Sequence, residues 1–454
     1  MRKTSIAAMI MAAAMIGAAC GSSKKAADTT AVTTPATPET TTAPSPETTS
    51  AASPVTTAGE SAETITVTKA APADSIAAAG GATTVGASGE GPIVIGAAID
   101  LTGNMAPFDG PALVAAQVTI KKINAAGGVL GRQLELKFID TKLDPAATKA
   151  AAVDLITTSK ANVLLTTCDV DFATPAIQEG IKAGLLTVAP CIGTDQMGPS
   201  RFGAGGKLAF SMGNLAQDEG AVLAEYAIEK GYKTAIVVPD NLLVYFQNVC
   251  SAFTKRFEEK GGKVISKSGF TSFDHSVDNL PTVVTGAGAA DVIALCTFPP
   301  DITAAVKGIR DAGVKTPIFS PWSGDGTFWI PPGLTDFTYS TFASVFGDDP
   351  SADVNALIKA MTDAGKAPGT GGFITGAAAI EAIAAAITKA GSTDGAKLAA
   401  EFEKFSALET TSGKISFSPD LHTVFGREYR IMTFTNGKAK FQKLMAASSP
   451  AKLP

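Results

Sequence analysis

The sequence predicts an α/β fold made of two successive doubly wound parallel sheets. Apolar runs of strand length, such as Ile93–Asp100, do not alternate with polar residues, which is typical of strands covered on both faces. Segments with helical patterning separate these runs, and an alternation of strands and helices favours a parallel sheet. The alternation begins again after Asn214. We therefore expect two units of similar size.

Each predicted unit contains four strands with helices between them. The first has strands Ile93–Asp100, Gln133–Asp140, Asn162–Cys168 and Leu185–Cys191, and helices Ala112–Ala126, Pro145–Ser159 and Ala173–Ala183. The second has helices Gln217–Lys230, Phe246–Lys260, Val277–Thr285 and Asp301–Ala312, and strands Thr234–Val238, Lys263–Ser268, Asp291–Phe298 and Pro317–Trp322. Three later helices, Asp353–Ala364, Thr375–Ala390 and Ala396–Phe405, precede a β-rich segment, Lys414–Leu444, with a hairpin turn at Asn436-Gly437.

The first 20 residues have the pattern of an export signal. Arg2 and Lys3 precede the apolar run Ile6–Ala19, which is shorter than the roughly 20 residues needed to cross a bilayer. Cys20 follows small residues and resembles the cysteine of a bacterial lipobox, which predicts a lipid-anchored protein on the outer face of the cytoplasmic membrane. Gly17 stands where that motif prefers Leu, so secretion without a lipid remains the alternative.

A tether is predicted between the signal and the folded body. Residues 21–90 are rich in Thr, Ala, Pro and Ser and contain almost no large apolar side chains. Such a segment buries too little surface to offset the entropy of ordering, so we expect it to be disordered. The body begins at Gly91, and residues 447–454 form a tail.

Composition excludes several classes of function. The net charge of -5 and the pI near 5.3 give no basic surface for nucleic acid. The two histidines, His275 and His422, have no metal-ligand spacing, so neither a metal site nor a cofactor is expected. The chain also lacks a G-x-S-x-G elbow, a P-loop and an H-E-x-x-H motif. No catalytic residue is nominated, and an enzyme is not expected.

Four cysteines remain after Cys20, and an even number in an exported chain suggests disulfides. Cys168 and Cys191 end two predicted neighbouring strands, whose spacing of about 4.8 Å suits a disulfide. We therefore predict this pair. Cys250 and Cys296 could pair in the same way, although one lies in a predicted helix. Buried free thiols are the alternative for all four.

Ligands of open parallel sheets bind beyond the carboxyl ends of the strands. The residues that follow each predicted strand therefore nominate a site. Aromatic residues are frequent among them, although they make up only 7% of the chain. The first unit contributes Asn104, Phe108, Asp109, Cys168, Asp169, Phe172, Gly193 and Thr194, and the second contributes Tyr245, Gln247, Phe298, Trp322 and Asp325.

One continuous motif carries a resemblance to a known family. Residues Ile123–Leu136 spell INAAGGVLGRQLEL, with Leu101–Gly103 before them and Asp140–Pro145 after them. Gly127 and Gly128 suit left-handed backbone at a helix end. In this order the segments resemble the leucine/isoleucine/valine-binding family of type I periplasmic binding proteins. The resemblance extends over essentially the whole body.

The resemblance implies two lobes joined by a three-segment hinge, with a ligand cleft between them. We place the crossovers near Asn214, Thr341 and Ser412, so lobe 1 would hold residues 91–214 and 342–412, and lobe 2 residues 215–341 and 413–446. The implied function is capture of a small-molecule solute and its delivery to the permease of an ABC importer, by a protein we expect to be a monomer. A sensor subunit that signals through a separate membrane partner is the alternative.

Two residues depart from the amino-acid binders of that family. Asp169 stands where a small hydroxyl residue is common, and Trp322 stands where an acid that binds the ammonium is common. An acid repels a carboxylate, and a Trp offers an ammonium only a cation–π face. The expected solute is therefore not a standard branched-chain amino acid. If Asp325 turned inward it would restore the missing anion, so an amino acid remains the alternative.

Overall fold

The computed structural model describes residues 91–453. The predicted signal peptide, the lipidation site Cys20 and the tether of residues 21–90 lie outside the described residues. All statements below concern residues 91–453.

The elements alternate as the sequence predicted. In chain order the first group is β1 (Ile93–Ile99), α1 (Ala106–Ala125), β2 (Leu134–Asp140), α2 (Pro145–Thr157), β3 (Val163–Thr166), α3 (Val170–Lys182), β4 (Leu186–Ala189), α4 (Pro199–Phe202) and β5 (Ala209–Asn214). The second group is α5 (Ala216–Glu229), β6 (Thr234–Pro239), α6 (Val244–Glu259), β7 (Lys263–Lys267), α7 (Leu280–Gly286), β8 (Val292–Cys296), α8 (Asp301–Asp311), β9 (Ile318–Ser320) and β10 (Phe337–Thr341). The last group is α9 (Ala352–Asp363), α10 (Ile374–Ala390), α11 (Gly395–Phe402), β11 (Leu408–Thr410), β12 (Gly413–Ile415), β13 (Thr423–Val424), β14 (Tyr429–Thr435) and β15 (Lys438–Met445).

Two large sheets organise these elements into two lobes. The first sheet has the order β13-β5-β4-β3-β1-β2, and all of its pairings are parallel. The second has the order β15-β14-β10-β9-β8-β6-β7, with β14 and β15 antiparallel at one edge. This is the predicted pair of doubly wound parallel sheets, one in each lobe.

The chain passes between the two sheets three times. The first crossover follows β5 at Asn214 and the second follows β10 at Thr341. The third lies between β13 and β14 rather than at Ser412, because β13 pairs with β5 in the first sheet. Residues 413–424 therefore belong to lobe 1, contrary to the predicted boundary. A strand of two residues is too short to leave a periodic pattern in the sequence.

Helix ends depart from the predicted bounds at two prolines. Helix α1 begins at Ala106 rather than Ala112 and contains Pro111, and α3 begins at Val170 rather than Ala173 and contains Pro175. Each proline is the sixth residue of its helix, just beyond the first turn whose N–H groups have no partner, so each helix continues through a proline at the loss of one backbone hydrogen bond. The earlier starts bring both N-termini closer to the strand ends that precede them.

The glycine motif takes the predicted conformation. Gly127 and Gly128 have φ of 106° and 77°, and the Gly128 N–H donates to the Ile123 carbonyl at 3.0 Å. A Cβ on Gly128 would lie 2.0 Å from the Arg132 carbonyl oxygen, so a side chain there would clash. The motif therefore ends α1 and turns the chain into β2.

The long apolar helix of lobe 1 is a core helix. The stretch Gly371–Ala390, which includes α10, is long and apolar enough to cross a membrane, and it is the one such stretch found in residues 91–453. Its most apolar stretch of 18 residues is 78% buried inside the protein. It contacts α1 and α11, and its apolar side chains join the core of the first sheet.

Candidate ligand-binding site

A narrow cavity lies where the carboxyl ends of the two sheets face each other. The cavity volume is small, about 30 Å³. Both lobes contribute to the wall, which is mainly apolar. It consists of Met105, Phe108, Cys168, Asp169, Val170, Cys191, Ile192, Gly193 and Thr194 from lobe 1, and Leu243, Tyr245, Phe246, Phe298, Trp322 and Ser323 from lobe 2.

A disulfide forms part of the first lobe's wall. Cys168 follows β3 and Cys191 follows β4, and the structure joins them, as predicted, across a Cα–Cα distance of 4.7 Å. The pair ties together the two loops that carry Asp169 and Gly193. Cys250 and Cys296 form a second disulfide between α6 and the end of β8, with a Cα–Cα distance of 6.0 Å, and neither lines the cavity.

Asp169 is both a cavity residue and a helix cap. Its Oδ1 accepts from the N–H groups of Asp171 (2.9 Å) and Phe172 (3.2 Å) at the start of α3. Its side chain is buried, and burial raises the pKa of the carboxyl to about 7, with a further rise from the nearby Asp171 charge. The two cap bonds and the charge of Arg201 lower the pKa again by less. Asp169 is the one charged residue on the wall.

Aromatic rings dominate the second lobe's wall. Tyr245 and Phe246 lie at the start of α6, and Phe298 follows β8. The Phe246 ring centroid is 5.6 Å from that of Tyr245 and 5.4 Å from that of Phe298. Gly193 of lobe 1 faces this group, and a Cβ there would lie 2.8 Å from the Tyr245 ring. Only glycine therefore allows Tyr245 its present position.

Trp322 joins the lobes through its ring. The indole packs edge-on against Phe108 of α1, with a centroid separation of 5.0 Å, and stacks on Phe342 at 5.2 Å. A Cβ on Gly372, in the segment directly before α10, would lie 2.6 Å from the indole, so a side chain at that position would clash with the ring. Because Phe108 and Trp322 touch across the cleft, a solute that enters between them has to part the two rings.

Glu219 supports the lobe 2 side of the wall through hydrogen bonds from outside the cavity, a role that the sequence did not predict. It lies in the first turn of α5, fully buried. Oε1 accepts from the backbone N–H of Trp322 and from the Ser340 hydroxyl, both at 2.7 Å. Oε2 accepts from the Tyr245 hydroxyl. Burial raises the pKa of this carboxyl to about 7, and the three hydrogen bonds limit the rise. An acid in the first turn of a helix is ordinary, so only tertiary contacts distinguish Glu219.

Asp109, a predicted site residue, supports the wall instead of forming it. Its carboxylate accepts from the N–H groups of Asp100 (3.0 Å) and Cys168 (2.9 Å) and from the Thr167 hydroxyl. It is fully buried, which raises the pKa to about 8. Asp109 thus ties the end of β1 to the end of β3, and it has no face toward the cavity.

Asp325 likewise does not reach the cavity. Its Oδ2 accepts from the Thr341 hydroxyl at 2.7 Å and from the Gly371 N–H, so the carboxylate joins the end of β10 to the segment before α10. Burial raises its pKa to about 7. In this structure the Asp325 carboxylate therefore does not face the cavity, where it could serve as an anion for the solute. This side chain stabilises the second crossover.

Three other predicted residues lie away from the cavity. Asn104 is exposed in the turn before α1, and its neighbour Met105 lines the wall in its place. Gln247 is exposed two positions after Tyr245 and donates to the Asn241 carbonyl at 3.0 Å. Residues two apart on a helix point to different faces, which explains why Tyr245 lines the cavity and Gln247 does not. Phe172 is half-buried and packs against the hydrophobic cluster that contains Phe108 and Trp322, but it does not line the cavity.

The wall includes residues that the sequence analysis did not nominate for the site. Five of them are adjacent in sequence to a nominated residue, whereas Cys191 and Leu243 lie two positions before Gly193 and Tyr245. A rule that took both neighbours of every nominated position would have found most of them. They are Met105, Val170, Cys191, Ile192, Leu243, Phe246 and Ser323.

Polar contacts also cross between the lobes beside the cavity. Asp195 of lobe 1 accepts from Gln217 Nε2 of α5 at 2.8 Å and from Asn248 Nδ2 of α6 at 3.2 Å. These bonds and the Phe108–Trp322 contact hold the two walls together. In this structure the two lobes therefore contact each other around the cavity.

The site offers no set of free metal ligands. Within residues 91–453, the one cluster of three potential ligand groups consists of Asp109, Cys168 and Cys191. Both cysteines are joined in the disulfide, so neither can bind a metal as a thiolate. The chemistry of the wall is that of solute binding by burial and a few polar contacts.

Comparison with known proteins identifies the family. Residues 92–439 match the family model described as periplasmic binding protein. The amino acid binding protein of Pseudomonas aeruginosa is 26% identical over 335 residues, which cover 71% of this chain and 85% of that protein. The leucine-, isoleucine-, valine-, threonine-, and alanine-binding protein of the same organism is 26% identical over 329 residues, covering 72% and 85%.

Solved structures share the fold. LivJ, a branched-chain amino acid transporter substrate-binding protein from Streptococcus pneumoniae in complex with isoleucine, has a TM-score of 0.67 at 21% identity and covers 78% of this chain and 99% of its own. A solute-binding protein of an ABC transporter from R. palustris in complex with benzoate has a TM-score of 0.67 at 19% identity, covering 80% and 99%. The chain therefore belongs to the periplasmic binding protein family, in the type I, leucine/isoleucine/valine-binding group that its glycine motif resembles.

Proposed function

We propose that this protein is the extracytoplasmic solute-binding lipoprotein of an ABC importer. It captures a small organic solute between its two lobes and delivers it to the permease in the cytoplasmic membrane. Lipidated Cys20 anchors it to the outer face of that membrane, and residues 21–90 serve as the tether. The protein works as a monomer without a cofactor.

The observation that carries this proposal is the cavity enclosed by both lobes. Its wall joins aromatic rings of lobe 2 to the disulfide and Asp169 of lobe 1. A site divided between two bodies binds tightly only when the bodies meet, so closure and capture are the same event. The three crossover segments supply the hinge on which closure depends.

The solute is an amino acid or a related small compound. The similar structures named above hold isoleucine and benzoate, which are small, have one apolar part and carry few polar groups. The wall of this chain also offers much apolar surface and few polar groups. Asp169 and Trp322 make a standard branched-chain amino acid a poor fit, for the electrostatic reasons given above.

A thermal-shift screen of the whole mature chain tests the proposal. The panel consists of amino acids, amides, polyamines and aromatic acids. A solute present at 100 times its dissociation constant should stabilise the folded state by about 2.7 kcal/mol. The same solute should change the fluorescence of Trp322, which lies on the wall. A cooperatively folded chain that no small solute stabilises would contradict the proposal.

The alternative is a sensor subunit with the same binding step and a different partner. Uptake of the labelled solute distinguishes the two. Cells that lack this protein should lose high-affinity uptake if it serves an importer. They should keep uptake and lose only their response to the solute if it serves a separate signalling partner.

A further inference from the structure

We propose that the solute is a small organic ammonium ion that has an apolar body and lacks a carboxylate. This inference rests on the proposed function and names the chemical class that the same cavity selects. Three observations on the wall carry it: the placement of acids, the use of the hydroxyl groups and the arrangement of aromatic rings.

The only charge on the wall is negative. Asp169 is 5% exposed, and both of its cap bonds go to Oδ1, which leaves Oδ2 without a hydrogen bond from residues 91–453. No Lys, Arg or His of the described chain lines the cavity. The two backbone N–H groups serve Oδ1 only, and a cationic ligand would give Oδ2 a charged partner inside the buried cavity.

Within residues 91–453, no cationic side chain forms a hydrogen bond with Asp169, although the charge of Arg201 lowers the pKa of its carboxyl. Arg201 binds the exposed Asp171 at 2.8 Å and does not line the cavity. The Arg427 guanidinium lies over the Phe342 ring at 5.8 Å, behind the wall. Glu219 adds a second buried acid behind Tyr245, and all three of its hydrogen-bond donors are neutral groups. The cavity therefore lies between two acidic side chains, Asp169 and Glu219.

The hydroxyl groups of the wall are already used inside the protein. Tyr245 donates to Glu219 at 2.5 Å, and Ser323 donates to the Thr297 carbonyl at 2.7 Å. Thr194 donates to Asp195 at 3.3 Å. A solute carboxylate would thus find no free hydroxyl on the wall. Trp322 Nε1 is a buried donor without a partner among residues 91–453, but it lies against Gly372, which does not line the cavity. An amino acid that placed its ammonium at Asp169 would therefore bury its carboxylate without a hydroxyl donor.

The aromatic rings also favour a cation. Five of the fifteen wall residues are aromatic: Phe108, Tyr245, Phe246, Phe298 and Trp322. The faces of such rings are electron-rich and attract an ammonium group, and this attraction strengthens when both groups are desolvated. The same faces repel a carboxylate. An apolar body between Phe108 and Trp322 would replace the contact that these rings make with each other.

Matched solutes with the same body and different charge test the proposal. Phenethylamine, phenylalanine and hydrocinnamate share one aromatic body, and isopentylamine, leucine and isocaproate share one branched aliphatic body. Calorimetric titration of the whole mature chain should give the tightest binding for the amine of at least one series. The amino acid and the acid of that series should bind at least tenfold more weakly.

A pair of variants places the amine in the cavity. Asp169→Asn removes the charge and keeps an oxygen that can cap α3, because Asn caps helices as well as Asp. It should weaken amine binding roughly 10- to 100-fold, as expected for the loss of a charged hydrogen bond. Asp154→Asn removes the same charge from an exposed position of α2, in the same lobe and off the wall, and should leave amine binding within about twofold of wild type.

Each other outcome overturns the proposal. If an amino acid or an acid binds tightest in both series, or if Asp169→Asn leaves amine binding unchanged, the cationic class is wrong while solute capture stands. If none of the six compounds binds, the class is also wrong. The proposed function then survives only if the wider screen finds another solute that stabilises the chain and changes its fluorescence.

Discussion

The Tyr245 hydroxyl donates a 2.5 Å hydrogen bond to Oε2 of Glu219, so a ring on the cavity wall is held by a buried carboxylate from a different helix. The other oxygen of Glu219 holds the backbone of Trp322. One acid thus positions two of the aromatic residues that face the cleft, and several of the expectations below depend on this arrangement.

Replacing Glu219 with Gln should reduce the loss of stability that occurs as the pH rises. Burial raises the pKa of Glu219 in the folded state to about 7, above its ordinary value of 4.5. The stability that this group contributes is therefore fully present below about pH 4.5 and is lost as the pH rises through 7. Between pH 5 and 8 the melting temperature of wild type should fall more than that of Glu219→Gln.

The control for this experiment is Glu229→Gln, at a partly exposed acid that pairs with Lys443. It should keep the wild-type slope of melting temperature against pH. Buried Asp109, Asp169 and Asp325 titrate with the same sign, so the slope of Glu219→Gln should shrink without reaching zero. Equal slopes for Glu219→Gln and wild type would show that Glu219 does not gain a proton on folding.

Trp322→Ala should weaken solute binding by about 1–3 kcal/mol, the scale of a lost aromatic contact and its buried area. The indole contacts Phe108 across the cleft, so the change removes both a wall surface and a contact between the lobes. Calorimetric titration with the solute found in the screen gives the affinity.

Trp329→Phe is the matched control, because Trp329 is also buried and lies off the wall, where its Nε1 donates to the Gly324 carbonyl. Loss of that bond should lower the melting temperature and leave affinity nearly unchanged. The solute-dependent fluorescence change should survive in Trp329→Phe and disappear in Trp322→Ala. Wild-type affinity in Trp322→Ala would refute the role given to this residue.

The two disulfides should differ in their effect on binding. Replacing Cys168 and Cys191 together with Ser should lower stability by roughly 3 kcal/mol and should also weaken binding, because the pair holds the loops that carry Asp169 and Gly193. Replacing Cys250 and Cys296 together should lower stability without a comparable loss of affinity, since neither lines the cavity. Mass mapping of unreduced peptides should find both pairs. A free Cys168 in the exported protein would contradict the first pairing.

A chain that begins at Gly91 should bind the solute as tightly as the whole mature protein. Residues 21–90 contain almost no apolar side chains to bury, so their removal should cost little stability. Differential scanning calorimetry should show the same cooperative transition for both chains. A lost or broadened transition in the shorter chain would mean that the segment takes part in the fold.

The sequence predicted most of the fold because its elements carry strong local patterns. Buried parallel strands such as β1 and β8 are continuous apolar runs, and helices such as α2 begin at an Asp-Pro cap. Strand β5, AFSMGN, was missed because its small and polar residues give no such run, although every one of them is buried. Its burial comes from its neighbours β4 and β13 and not from its own composition.

The sequence by itself determined the two parallel sheets, the disulfide between Cys168 and Cys191, and the cluster of aromatic residues at the strand ends. These follow from periodicity and from the rule that parallel strands present their carboxyl ends at one edge. Only the tertiary structure decided which strand-end side chains face the cleft. Asp169 and Asp325 both follow strands, yet one lines the cavity and the other accepts from Thr341 at the hinge. The direction in which such a side chain points depends on where the next helix begins and on contacts with residues distant in sequence, such as the contact between Glu219 and Trp322. A local sequence pattern contains neither kind of information.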